Sequence, residues 1–173
     1  MLTLAHLTIG IAAMTVVTIA ALQDIRERLI ANRSVVLLLG SGALYHMAIA
    51  GGFADWLVIA GGAFASAAAV MSVGFAVWRL GGLGGGDVKL LAAAAFFVGV
   101  EGITVLLVAT ALAGGLLAIV HLLLTRLAPI VVMHFAGPSF SGPDQQSRSL
   151  PYGVAIATGF ACAVIPSLPI LIG

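Results

Sequence analysis

Long apolar runs separated by short polar links set the pattern of the chain. Leu2–Leu22 carries no Lys, Arg, Asp or Glu and reaches the roughly 20 apolar residues that a spanning helix needs. A polar link, Gln23–Ser34, follows. Val35–Ala50 is a second apolar run and contains Tyr45 and His46, and Gly51–Asp55 connects it to the next. Trp56–Leu80 is a third run, with Trp56 and Trp78 near its ends, where aromatic belts form at a membrane surface. A glycine-rich link, Gly81–Gly86, leads into Val88–Val100, which is short for a span and ends at Glu101 and Gly102. Ile103–Leu127 is long. Ala128–Leu150 reads as a loop, with Asp144 and Arg148 in its polar cluster. Pro151 suits the first turn of a last helix running to about Ile172.

Composition turns these runs into a class. Of 173 residues, 62% are hydrophobic and 8% are charged, against about a quarter charged in a soluble domain. The chain reads as an integral membrane protein with one domain over residues 1–173. A net charge of +1 offers no basic field for nucleic acid. The one cysteine, Cys162, rules out an intrachain disulfide and a Cys-rich zinc module. No basic residue precedes the first apolar run, so that run reads as a retained helix and not a cleaved signal. Gly61, Gly62, Ala65, Ala68 and Ala69 in the third run, and Gly114 and Gly115 in the fifth, are small enough for close helix packing.

Charge decides the short segment. If Val88–Val100 crosses, then Arg26, Arg28, Arg33, Arg79, Lys89, Arg126 and Arg148 share one side, and the other holds Asp55 and Glu101. The positive-inside rule makes the basic side cytoplasmic. The expectation is an all-α bundle of six transmembrane helices with both termini outside the cytoplasm.

In that topology Asp24 closes the first helix and Asp87 opens the fourth, at one depth. Two adjacent carboxylates share a proton, so one can activate water while the other polarises a carbonyl. Helix dipoles favour the anion at Asp87 and disfavour it at Asp24, which would leave the shared proton on Asp24. Each acid also has an ordinary role, Asp87 at a helix N-terminus and Asp24 in an interfacial salt bridge, and spacing alone leaves both roles open. His6, His46, His121 and His134 form no ligand set, so no metal or other cofactor is expected.

Gly84-Gly85-Gly86-Asp87-Val88-Lys89 resembles the GxGDxK signature of the type IV prepilin peptidases, which are GxGD aspartic proteases. Asp24-Ile25-Arg26-Glu27-Arg28-Leu29-Ile30-Ala31-Asn32 is similar to the family's D-x-R-x-R-x-I-P-N stretch. Pro151-Tyr152-Gly153-Val154-Ala155-Ile156-Ala157 is similar to its P-Y-G-x-A-I-A segment. Ala31 stands where the family usually has proline, so the link lacks that rigid stop. Without a CxxC pair, the chain resembles the short, peptidase-only members of the tight-adherence (Flp pilus) branch, which do not N-methylate their product.

The resemblance implies catalysis by Asp24 and Asp87, with Gly84, Gly86, Lys89, Pro151, Tyr152 and Gly153 binding substrate or supporting the site. It implies an aspartic endopeptidase in the bacterial inner membrane that removes the basic leader from prepilins or pseudopilins at the cytoplasmic face. Lys89 would hold Asp87 ionised or touch the substrate backbone. The expected partners are these substrates and the lipid bilayer; oligomeric state is not readable. The alternatives are a small proton- or cation-coupled transporter and a non-catalytic secretion-system subunit. A transporter would place its acids near the midplane.

Overall fold

The computed structural model describes residues 2–135 and 152–167. They form five α-helices: α1 (Leu2–Glu27), α2 (Asn32–Ile49), α3 (Phe53–Arg79), α4 (Gly85–Phe135) and α5 (Tyr152–Val164), the last followed by a 3-10 turn at Ile165–Ser167. α1, α3 and α4 are long and apolar enough to cross a membrane, and α5 is a shorter apolar helix. Large apolar side chains stand outward along them, among them Ile11, Leu22, Val58, Phe64, Val73 and Leu112. Water would penalise such a surface, and lipid would not. Several hydroxyls in the helices bond to carbonyls of their own helix, as Thr15 does to Ile11 and Ser66 to Gly62. This removes the cost of leaving them unpaired in hydrocarbon.

Helix ends differ from the sequence expectation in ways local chemistry explains. α1 runs on to Glu27, because Arg28 adopts a left-handed φ of 52° and its N–H closes the helix on Asp24 O at 3.0 Å. The link is therefore only residues 28–31, and it stops without the missing proline. Ala31 itself sits at φ −66° and ψ 133° as the residue before α2. α3 ends in a Schellman turn: Gly81, at φ 78°, donates to Trp78 O, and Gly82 donates to Val77 O. Gly85 and Gly86 already belong to α4, so the glycine link is a short closed turn and not a free loop.

The expected break at Glu101-Gly102 occurs at Gly99. Its φ of 64° and ψ of −162° interrupt α4, in a region that glycine alone occupies readily. The second arm of α4 then turns back along α5. Phe97 meets Phe160, with ring centroids 5.2 Å apart, whereas Gly114 meets Tyr152 and Ala155 at the opposite end of α5. The second arm continues to Phe135, past the expected end at Leu127. Pro151, Asp144, Arg148, most of the expected loop and the end of the last run, residues 168–172, lie outside the described residues.

α1 packs on α2 and α5, and α4 packs on α2, α3 and α5, but among the described residues no Cα pair of α1 and α4 comes within 8 Å. A shared core of Ala13, Val17, Leu38, Leu90, Ala92–Ala95, Ile156 and Phe160 ties the four inner helices together. The face of α3 that packs is Ala63, Ser66, Val70 and Gly74. Of the expected small residues, Ala65, Ala68 and Ala69 are exposed, while Gly62 lies against Val100. Composition marks a helix as packable, but only the neighbour decides which face is used.

Candidate functional site

Asp24 lies in the last turn of α1 and Asp87 in the first turn of α4, as the sequence predicts. They are 7% and 9% exposed, so both carboxyls are withdrawn from solvent. The charge of Asp24 acts on Asp87, although no Cα pair of their helices comes within 8 Å among the described residues. Other elements bring them together. The α1–α2 link places Ile30 against the start of α4, where a Cβ on Gly86 would lie 3.1 Å from the Ile30 Cβ. α5 holds the other side of Asp24.

Each acid is held by one backbone amide. The Gly153 N–H donates to Asp24 Oδ2 at 2.8 Å, across 129 residues of chain. A Cβ at Gly153 would come within 2.9 Å of both Asp24 Cβ and Oδ2. The absence of a side chain there is what lets α5 approach the acid. The Gly84 N–H donates to Asp87 Oδ2 at 3.1 Å. This is the reach-back bond of a capping box, from the third helical residue to the residue before the helix. Asp87 therefore also caps α4. Its Oδ1 is buried and accepts no hydrogen bond from the described residues. Such an atom is placed for a water, a substrate group or a proton shared with another acid. The helix ends alone no longer assign the shared proton, because α5 adds a donor at Asp24 that the sequence does not show.

The remaining candidates divide. Gly84 and Gly86 adjoin Asp87, and Gly153 adjoins Asp24. Tyr152 is half-buried beside Gly114. Lys89 is exposed while Asp87 is buried. Two residues along a helix project to different sides, so Lys89 is not placed to hold the Asp87 anion. Pro151 lies outside the described residues. Sequence reasoning missed Ile30, Trp78 beside Gly85 and Val88 against Gly74. Ile30 stands in the family-like link, Trp78 reads as a belt aromatic and Val88 as the start of an apolar run, and none of these features marks a packing partner of the glycines around Asp87.

Two carboxyls that approach to about 3 Å share one proton and can activate a water. No curated protein and no solved structure matches the chain significantly. The model of the type IV leader peptidase family matches residues 11–119, a stretch that includes both aspartates and ends before α5. That match covers more than half of the sequence and agrees with the motifs around Asp24 and Asp87, so the chain belongs to the type IV leader peptidase family.

Proposed function

We propose that this chain is an intramembrane aspartic endopeptidase that removes the basic leader from prepilins or pseudopilins. In this reading one carboxylate of the Asp24–Asp87 pair takes a proton from water. The resulting hydroxide attacks the scissile carbonyl, which the protonated partner polarises, and the proton then passes to the leaving amine. The observation that carries the proposal is the burial of both acids at one end of the bundle, each held by an amide, with Asp87 Oδ1 unpaired.

The arrangement belongs to a bundle of six spans in the bacterial inner membrane, with the two arms of α4 as separate crossings. The basic links then face the cytoplasm, with both termini on the other side. The whole of residues 1–173 acts as one membrane-embedded domain. In this reading a prepilin presents its leader–helix junction at that depth, and Tyr152, next to Gly153, and the exposed Lys89 contact the extended peptide. With a single cysteine, Cys162, exposed on α5, the activity is cleavage without N-methylation.

Co-expression with a prepilin from the same genome tests this. The wild type should shorten the pilin on a gel, and Asp24→Asn and Asp87→Asn should each abolish shortening while still inserting into the membrane. Cleavage by either variant would refute the pairing. Failure of the wild type on every prepilin offered would refute the substrate class.

A further inference from the structure

We propose that His46, at the end of the bundle away from the aspartates, is a positioning residue for Asp87. The inference rests on the peptidase reading, and it concerns how the first arm of α4 is held. The buried face of α2 is Ser34, Leu38, Gly42 and His46, one residue per turn. Gly42 brings α2 against α4: a Cβ there would lie 2.9 Å from Phe96 Cδ1 and 3.2 Å from Phe97 Cα. One turn on, His46 Nε2 lies 2.8 Å from Phe96 O. A carbonyl only accepts, so Nε2 carries the hydrogen and donates it.

That carbonyl needs an outside donor. The break at Gly99 ends the first arm of α4, and Phe96 O is among the last carbonyls of that arm, which have no helical partner. His46 supplies the donor and packs edge-on against the Phe96 ring, at 5.4 Å and 87°. Next to it Tyr45 stacks on Phe97 at 5.0 Å.

The Asp87 end of the arm is seated by Gly86 against Ile30 and Val88 against Gly74, and the clamp at Phe96 fixes the opposite end of that arm. Its middle is Ala92–Ala95, all buried, and methyl groups alone offer no knobs to resist sliding or rotation. At its far end Phe97 is buried between Tyr45 and Phe160, and a cavity of about 630 Å³ opens beside His46, Gly99 and Glu101. The arm is a helical rod from Phe96 to Asp87, about 14 Å at 1.5 Å per residue, and a tilt of about 10° at the clamp moves Asp87 by about 2 Å. A misplacement of about 1 Å at a reacting group can cost about a hundredfold in rate.

The test compares His46→Phe, which keeps a ring but removes the donor, with His46→Gln, which keeps an N–H near the position of Nε2. Two readouts are taken. One is kcat and KM for prepilin cleavage. The other is the rate of disulfide formation between Ile30→Cys and Gly86→Cys in a Cys162→Ser background, which reports where the Asp87 end of the arm sits without requiring activity. His46→Phe should lower kcat at least about tenfold with KM within about twofold, the pattern of lost positioning and not of lost binding. It should also slow the cross-link, and His46→Gln should restore both. If His46→Phe fails to fold, Gly42→Ala, which pushes α2 off Phe96, should give the same pattern. The proposal is overturned if His46→Phe matches wild type in both readouts, or if His46→Gln fails as badly as His46→Phe. If even the wild type cuts no prepilin but the cross-link rates keep the expected order, the clamp stands and the peptidase reading falls.

Discussion

Gly153→Ala is the most direct probe of the site, because it adds one methyl group at a measured place. The new Cβ would lie 2.9 Å from Asp24 Cβ and Oδ2 and 3.2 Å from Cγ. Carbon atoms rest at about 3.5–4.0 Å, so the acid or α5 must retreat by about 0.6 Å. The Gly153 N–H to Asp24 Oδ2 bond, now 2.8 Å, lengthens by a similar amount and loses most of its strength. A hydrogen bond to a charged group contributes about 1.5–3 kcal/mol, and a barrier change of about 1.4 kcal/mol is tenfold in rate. The expected result is a fall of about ten- to a hundredfold in kcat. The helix itself should not suffer, since alanine is a better helix former than glycine by about 1 kcal/mol. The assay is single-turnover cleavage of a prepilin in detergent or vesicles, alongside thermal unfolding of the same preparation. Wild-type cleavage by Gly153→Ala would refute the claim that this amide positions Asp24. A lower rate with a matching loss of stability would assign the effect to folding instead.

Other outcomes follow from particular backbone angles and exposures. Ala31→Pro should be tolerated and stabilise by about 0.4–1 kcal/mol in thermal unfolding, because Ala31 already holds the φ of −66° that a proline ring imposes. Gly99→Ala should destabilise by about 1–3 kcal/mol, since a Cβ is strained at φ 64° and ψ −162°; an unchanged melting temperature would contradict the observed turn. Lys89→Ala should slow cleavage modestly without abolishing it in the co-expression gel assay, because Lys89 is exposed while Asp87 is buried.

The candidate site was legible where its residues are chemically unusual for their surroundings. Asp24 and Asp87 stand out in a chain with 8% charged residues, and charged groups at the ends of apolar runs mark helix ends. The glycines before Asp87 signal a turn, and Gly81 forms one. Helix limits were less legible. α1 overran to Glu27 because an arginine took the left-handed cap that glycine usually provides. α4 turned two residues before its charged Glu101 because the turn needs a conformation open to glycine, not a polar side chain.

By itself the sequence determined that the protein is helical and lipid-compatible, that its acids sit at helix ends, and which family its motifs fit. These are local properties, set by hydropathy, charge and backbone preference within a few residues. Only the tertiary structure decided that α1 and α4 have no Cα pair within 8 Å among the described residues, that Ile30 packs on Gly86 beside Asp87, and that the Gly153 amide meets Asp24. It also decided that His46 closes the broken end of the arm carrying Asp87. Those contacts join residues far apart in the chain, many of them small or apolar. In a chain that is apolar nearly throughout, hydropathy cannot single out which small residue meets which neighbour; shape does, and shape exists only once the helices have packed.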